Sequence, residues 1–176
     1  MAEGWTLQIR PPPPECMFAG HHYTSTVYVL DNNNQLKTGV TFGLDVRLVH
    51  EDESNASPTI MHVNSRNLSI NKQGNAKFSY YFQDTSLLHG NKRFRIHVSA
   101  KGDYSFLPPA ISTPIRVIRY QLQVTNTLPG EWFKDQGGRD KHMSLHVQLQ
   151  DFTKQAVPTT ETIPLLVTLV YEKTGA

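Results

Sequence analysis

The stretch Val40–Val49, VTFGLDVRLV, places Phe42, Leu44, Val46 and Leu48 in strict alternation with Thr41, Gly43, Asp45 and Arg47. Successive side chains on an extended chain point to opposite faces, so this pattern specifies a strand with one dry face and one wet face. The same period of two recurs in Ala76–Phe82 and in Phe94–Ala100, where Phe94, Ile96 and Val98 oppose Arg95, His97 and Ser99. Further strands are read at Thr26–Leu30, Ile115–Ile118, Gln121–Thr125, Met143–Leu149 and Ile163–Tyr171. DNNNQ at 31–35, NKQGN at 71–75, HGN at 89–91 and KGD at 101–103 separate strands with residues that tolerate the positive φ of tight turns. No window of ten or more residues carries a 3.6-residue period. Short strands at this spacing predict an all-β protein, an antiparallel sandwich or barrel.

The order of segments repeats. TLQIRPPPPE, STVYVLDNNNQ and VTFGLDVRLVHEDES follow Trp5; QLQVTNTLPGE, MSLHVQLQDFTKQ and TIPLLVTLVYEKTG follow Tyr120. Leu7 and Ile9 correspond to Leu122 and Val124, Glu15 to Glu131, Asp31 and Gln35 to Asp151 and Gln155, and Leu44, Val46 and Leu48 to Leu165, Val167 and Leu169, at offsets of about 115 to 121 residues. The reading is a sandwich over residues 1–119, then the start of a second, repeated β-unit over 120–176 that covers only the first three strands. Three strands alone are marginal. The second unit is therefore expected to pack on the first, or the natural chain to continue beyond Ala176.

The 176 residues are 38% hydrophobic and 18% charged, enough apolar material for a core. No apolar run approaches the roughly 18–20 residues that span a bilayer, and no signal peptide is read, so no membrane association is expected. Cys16 is the only cysteine, which precludes an internal disulfide and fits a reducing compartment. It reads as a small buried hydrophobe. Cys16, His21 and His22 lack the spacing of a zinc site, and Glu51–Glu53 lack a calcium-loop ligand series. There is no GxGxxG or Walker loop. Gly137 and Gly138 lie in a polar loop, and no carboxylate pair sits on an acid–base motif. No enzyme activity, cofactor or small-molecule substrate is expected. Pro11–Pro14 read as a stiff connector into the first paired strand.

Net charge is +2, but it is unevenly distributed. Residues 31–54 carry five acids against two cations; residues 89–119 carry Lys92, Arg93, Arg95, Lys101, Arg116 and Arg119 against Asp103 alone. A chain polarised in this way can present a basic end to a polyanion.

The run from Ala76 to Tyr120 resembles the end of a Runt domain: a strand, a Gly/basic loop (HGNKR), an F-x-I-x-V strand, a proline-containing loop and a terminal I-R-V strand. LPPAISTPI is similar to the proline-rich segment closing a Rel-type N-terminal domain. TLQIRPPPPE followed by CMFAG resembles that family's opening strand and recognition loop. The resemblance implies an immunoglobulin-like antiparallel β-sandwich and a nuclear transcription regulator binding double-stranded DNA. It places Lys92 and Arg93 in a DNA-contacting loop, Arg116 and Arg119 on the terminal strand and its exit, and Arg10, His21 and His22 near the recognition loop. Arginines there can reach phosphates or a guanine edge. The alternative is a cytoplasmic tandem sandwich that binds a protein partner or a second copy of itself and no nucleic acid. A long uncovered strand edge near Met143–Leu149 would favour that alternative.

Overall fold

The computed structural model describes residues 4–65, 67–130, 144–168 and 170. The chain divides into two compact units, Met1–Gln121 and Leu122–Ala176. Among the described residues there is no α-helix, and hence none long and apolar enough to cross a membrane.

The first unit is an immunoglobulin-like β-sandwich. One sheet has the order β1 (Thr6–Arg10), β3 (His22–Leu30), β7 (Asn75–Phe82), β5 (Met61–Val63), with antiparallel neighbours throughout. The other has the order β6 (Ser69–Ile70), β4 (Phe42–His50), β8 (Phe94–Ala100), β9 (Ala110–Ile111), again antiparallel. Pro11–Pro14 carry the chain from β1 to β2 (Cys16–Phe18), which pairs in parallel with β10 (Arg116–Ile118). Pro13 is buried, so the proline run is a connector with one residue packed inward. CMFAG, read as a loop, is thus mostly strand: β10 offers it a ladder, and Met17 is fully buried.

The alternation does what period two requires. Val27 and Val29 of β3, Phe78, Tyr80 and Phe82 of β7, Leu44 and Leu48 of β4, and Ile96 and Val98 of β8 meet in one core between the sheets. One end is closed by aromatic rings, Tyr104 stacking on Trp5 (6.2 Å between centroids) and on Phe42 (4.5 Å).

Four hairpin turns share one geometry. In each, the first residue's N–H donates to the carbonyl of the fifth, and its own carbonyl accepts from the N–H of the fourth: Asp31–Gln35, His50–Ser54, Asn71–Asn75 and Asp151–Gln155. The fourth residue is left-handed each time, at φ 59° in Asn34, 64° in Glu53, 78° in Gly74 and 64° in Lys154. At Gly74 the turn also needs the missing side chain, because a Cβ would fall 2.0 Å from the Lys37 carbonyl oxygen.

In the second unit β11 (Gln121–Val124) pairs with β12 (Val147–Gln150). Met143 and the Gly137–Gly138 loop lie outside the described residues, as do Glu131, Leu169 and Tyr171. The strand expected at Ile163–Tyr171 does not form over its described residues. Its counterpart, β4, is a strand because β8 and β6 flank it; no described strand flanks 163–168, so an apolar segment has no ladder to join.

Candidate functional site

The register of the sheets brings several loops to the end of the sandwich opposite the aromatic stack. His22 pairs with Tyr81, and His50 with Phe94. The Ala19 N–H donates to Ile118 O (2.8 Å) and the Gly20 N–H to Phe82 O (2.8 Å). His21, His22, Lys92, Arg93, Arg116 and Arg119 therefore all lie at this end.

Two hollows open there and share Asn91. The first is lined by His50, Glu51, Asp52, Asn91, Lys92 and Arg93. Its charge is mixed. The Asp52 carboxyl is held below its ordinary value, chiefly by the Ser54 hydroxyl and then the Ser54 N–H donating to it, with Lys92 contributing. Asp52 thus shapes its turn. The His50 ring packs against Phe94 at 5.5 Å, and its buried Nδ1 has no partner among the described residues.

The second hollow, of about 350 Å³, is lined by Thr85, Ser86, Leu87, Asn91 and Arg116–Tyr120. A single 3₁₀ turn, Ser86–His89, builds one wall. Buried Ser86 anchors it, its Oγ accepting from the Val117 N–H at 2.9 Å. Anchoring Ser86 turns Leu87 and Leu88 outward, 76% and 68% exposed. Asp84 is engaged with His89 at 3.1 Å. The other ion pair among the described residues is Lys101–Asp45, so Lys92, Arg93, Arg116 and Arg119 have no carboxylate partner there.

Arg10 is not part of this end. It sits opposite Thr26 in the middle of β3, donates to the Gln8 side-chain oxygen and lies 5.7 Å over the Tyr28 ring. His22 lies on the outer face of its sheet against Tyr81 (4.8 Å), with His62 on the same ring from β5 (5.0 Å). His21 meets Tyr23 edge-on at 4.7 Å. Cys16 is exposed, contrary to the sequence reading: edge strand β2 buries Met17 and turns its neighbours outward. Desolvation pushes its thiol above the ordinary value despite Arg116 alongside, the opposite of an activated nucleophile. Among the described residues, no group of three or more His, Cys, Asp or Glu is placed to hold a metal ion.

Sequence reading missed two features. Leu87 and Leu88 carry no periodic signal; the clue was two leucines standing just before a turn. The other is an open edge. Gly43 O accepts from the Lys101 N–H (2.8 Å) and the Glu51 N–H donates to Arg93 O (3.0 Å), so odd-numbered residues of β4 face β8. Even-numbered ones face away. The Leu44 N–H is taken by Leu68 O, and Leu48 O by the Ala56 N–H, but no described residue meets the Val46 N–H and C=O between them. Val46, Arg47 and Leu48 line a groove of about 300 Å³ with Asn55, Ala56, Pro58 and Met61. Met61 belongs to β5, one of the two outer strands of the other sheet.

No protein-family model matches the chain, and no curated protein is significantly similar to it. Several solved structures resemble it in chain path. The Lin-41 filamin domain is 14% identical, with 64% of this chain and 91% of that one covered and a TM-score of 0.37. Domains 5–6 of the S-layer protein SbsC are 15% identical over 87% of this chain and 65% of theirs, with a TM-score of 0.42. The Escherichia coli adhesin FdeC is 14% identical over 88% of this chain and 42% of its own, with a TM-score of 0.40. None of these three is a Runt or Rel-type domain. The fold assignment itself rests on the two sheets and their order.

Proposed function

We propose that this chain is a β-sandwich interaction module that captures an extended segment of a partner protein along β4 at Val46, where no described residue pairs with the outward backbone, with residues 120–176 forming a partial second copy of the same unit. The observation that carries this is the outward-facing Val46 backbone, set in a groove between two sheet edges. The Val46 N–H and C=O can pair with the backbone of another extended segment, and side chains of that segment would enter the groove beside Met61 and Ala56.

One observation favours the nucleic-acid reading: Lys92, Arg93, Arg116 and Arg119 gather at one end, and none forms an ion pair with a described carboxylate. Against it, Glu51 and Asp52 share the hollow with Lys92 and Arg93, and a phosphate backbone would meet both acids there.

Selection of random peptides, and separately of random duplex DNA, on the immobilised chain discriminates the two. Selected peptides should show alternating apolar positions. Val46→Pro should weaken them about tenfold or more, because the outward N–H is lost while the ladder to β8 does not use it. Peptide binding indifferent to Val46→Pro would remove this edge. An enriched duplex whose affinity falls steeply with salt would establish the DNA reading instead.

A further inference from the structure

The hollow between the 3₁₀ turn and β10 combines two kinds of surface that ordinarily stay apart. Leu87 and Leu88 project from the anchored turn into solvent, and Tyr120 is 45% exposed at the exit of β10. Beside them Arg116 and Arg119 are exposed, and no described carboxylate pairs with either. Large apolar side chains flanked by unpaired guanidiniums mark an interaction surface more than a solvated face.

We propose that this hollow docks a short acidic segment of a partner protein that carries one apolar anchor. The anchor fills the space between Leu87 and Tyr120, and carboxylates on either side of it take Arg116 and Arg119. Charge complementarity chooses the occupant's sign. The leucines choose its class: a nucleic-acid backbone offers nothing apolar to cover Leu87 and Leu88, whereas a peptide with an aromatic or leucine side chain does. Arginine suits this role because its planar fork grips a carboxylate with two hydrogen bonds and lies flat against apolar neighbours.

The wall is built to hold its shape. Ser86 fixes the turn to β10 through the Val117 N–H, the His89–Asp84 pair ties its end, and Gly90 in the left-handed region (φ 69°) stops it. Leu87 is therefore presented at a set position, which lowers the ordering cost of binding. This surface is separate from the β4 edge and does not depend on it: the hollow and the groove at Val46 have no lining residue in common.

The test is a fluorescence-anisotropy titration of the full chain with three labelled probes: a short peptide of glutamates flanking a Phe-Leu pair, the same peptide with lysine for glutamate, and a short mixed-sequence duplex DNA. The acidic peptide should bind saturably and the lysine peptide should not. Arg116→Glu with Arg119→Glu should weaken the acidic peptide more than about tenfold, since it removes two charge-assisted contacts and adds repulsion. Leu87→Ser with Leu88→Ser should weaken it about five- to tenfold through the lost apolar contact. Both pairs are exposed, so each variant should fold, and circular dichroism checks this before the titration. Val46→Pro should leave this binding unchanged, so the outcome here is independent of strand capture at β4. No saturable binding of the acidic peptide up to about 1 mM overturns the proposal. So does binding that ignores both double variants, or duplex binding that depends on the arginines and not on the leucines.

Discussion

Asp31 and Asp151 close turns of the same construction. The Asp31 Oδ1 accepts from the N–H groups of Asn33 (2.8 Å) and Gln35 (3.0 Å); the Asp151 Oδ1 accepts from those of Thr153 (2.8 Å) and Gln155 (3.2 Å). The strands around them fare differently. Before Asp31, Val27 and Val29 are wholly buried between two sheets. After Asp151, Leu166 is 90% exposed and Val167 68%. Turn geometry is set by about five residues and needs nothing else. Burial needs a second layer, which β4 and β8 supply in the first unit. Among the described residues of the second unit, the only strand pairing is β11 with β12.

The sharpest way to break this comparison is to delete a large side chain from each unit. Phe82 is fully buried, and Phe82→Ala should cost about 3–5 kcal/mol, the transfer term plus the cavity left behind. Leu166→Ala should stay within about 0.5 kcal/mol, as for exposed positions generally. Urea unfolding followed by circular dichroism measures both. A large cost at Leu166 would mean that something covers the second unit in solution.

A side chain that completes a backbone hydrogen bond offers a subtler contrast. Ser86 Oγ serves the Val117 N–H inside the protein, while Asn126 accepts from the His146 N–H (2.8 Å) and donates to Ser144 O (2.7 Å) at the surface. Ser86→Ala should cost about 1–3 kcal/mol, because the buried N–H is orphaned. Asn126→Ala should cost less than about 1 kcal/mol, because water replaces the amide. Native-state amide exchange at Val117 and His146 reads each effect locally. Equal losses at the two sites would show that the second unit excludes water as the first does.

Period two made the long strands legible because their ladders exist. Phe94–Ala100 was read to the residue, and Ala76–Phe82 and Val40–Val49 came within two residues at each end. The short strands β2, β5, β6 and β9 span two or three residues, too few for a period to show. Ile163–Tyr171 is richer in apolar residues than β4, yet a strand is a property of a pair of segments, and sequence displays only one of them. The repeat reading leaned on DNNNQ matching DFTKQ. The same turn also forms at His50–Ser54 and Asn71–Asn75, so that match follows from local turn chemistry whether or not the two segments are copies.

The candidate site was half legible for a similar reason. Of the cations along the chain at 89–119, Lys92, Arg93, Arg116 and Arg119 gather at one end, since β8 begins and β10 finishes there, whereas Lys101 follows the far end of β8 opposite Gly43. Arg10 was grouped with them through the proline run after it; in the fold that run leads away, and Arg10 stays on β1 beside Tyr28. The open edge at Val46 was illegible, because it is defined by what β6 leaves unpaired.

The smallest expected effect is a proton-linked one in the first unit. His97 is buried on β8 beside Arg47, with Nδ1 3.4 Å from the arginine Nε. Desolvation first, and Arg47 second, lower its pKa from 6.5, against weaker opposing pulls from Asp45 and Glu53. The unfolded chain then binds a proton more readily than the folded one. Stability should be unaffected by this group above pH 6.5, and should decline as the pH falls below it until the folded ring itself protonates. Urea midpoints at about pH 7.5 and about pH 5 measure the decline, and His97→Gln should flatten it. If the slope survives the substitution, the proton is taken elsewhere.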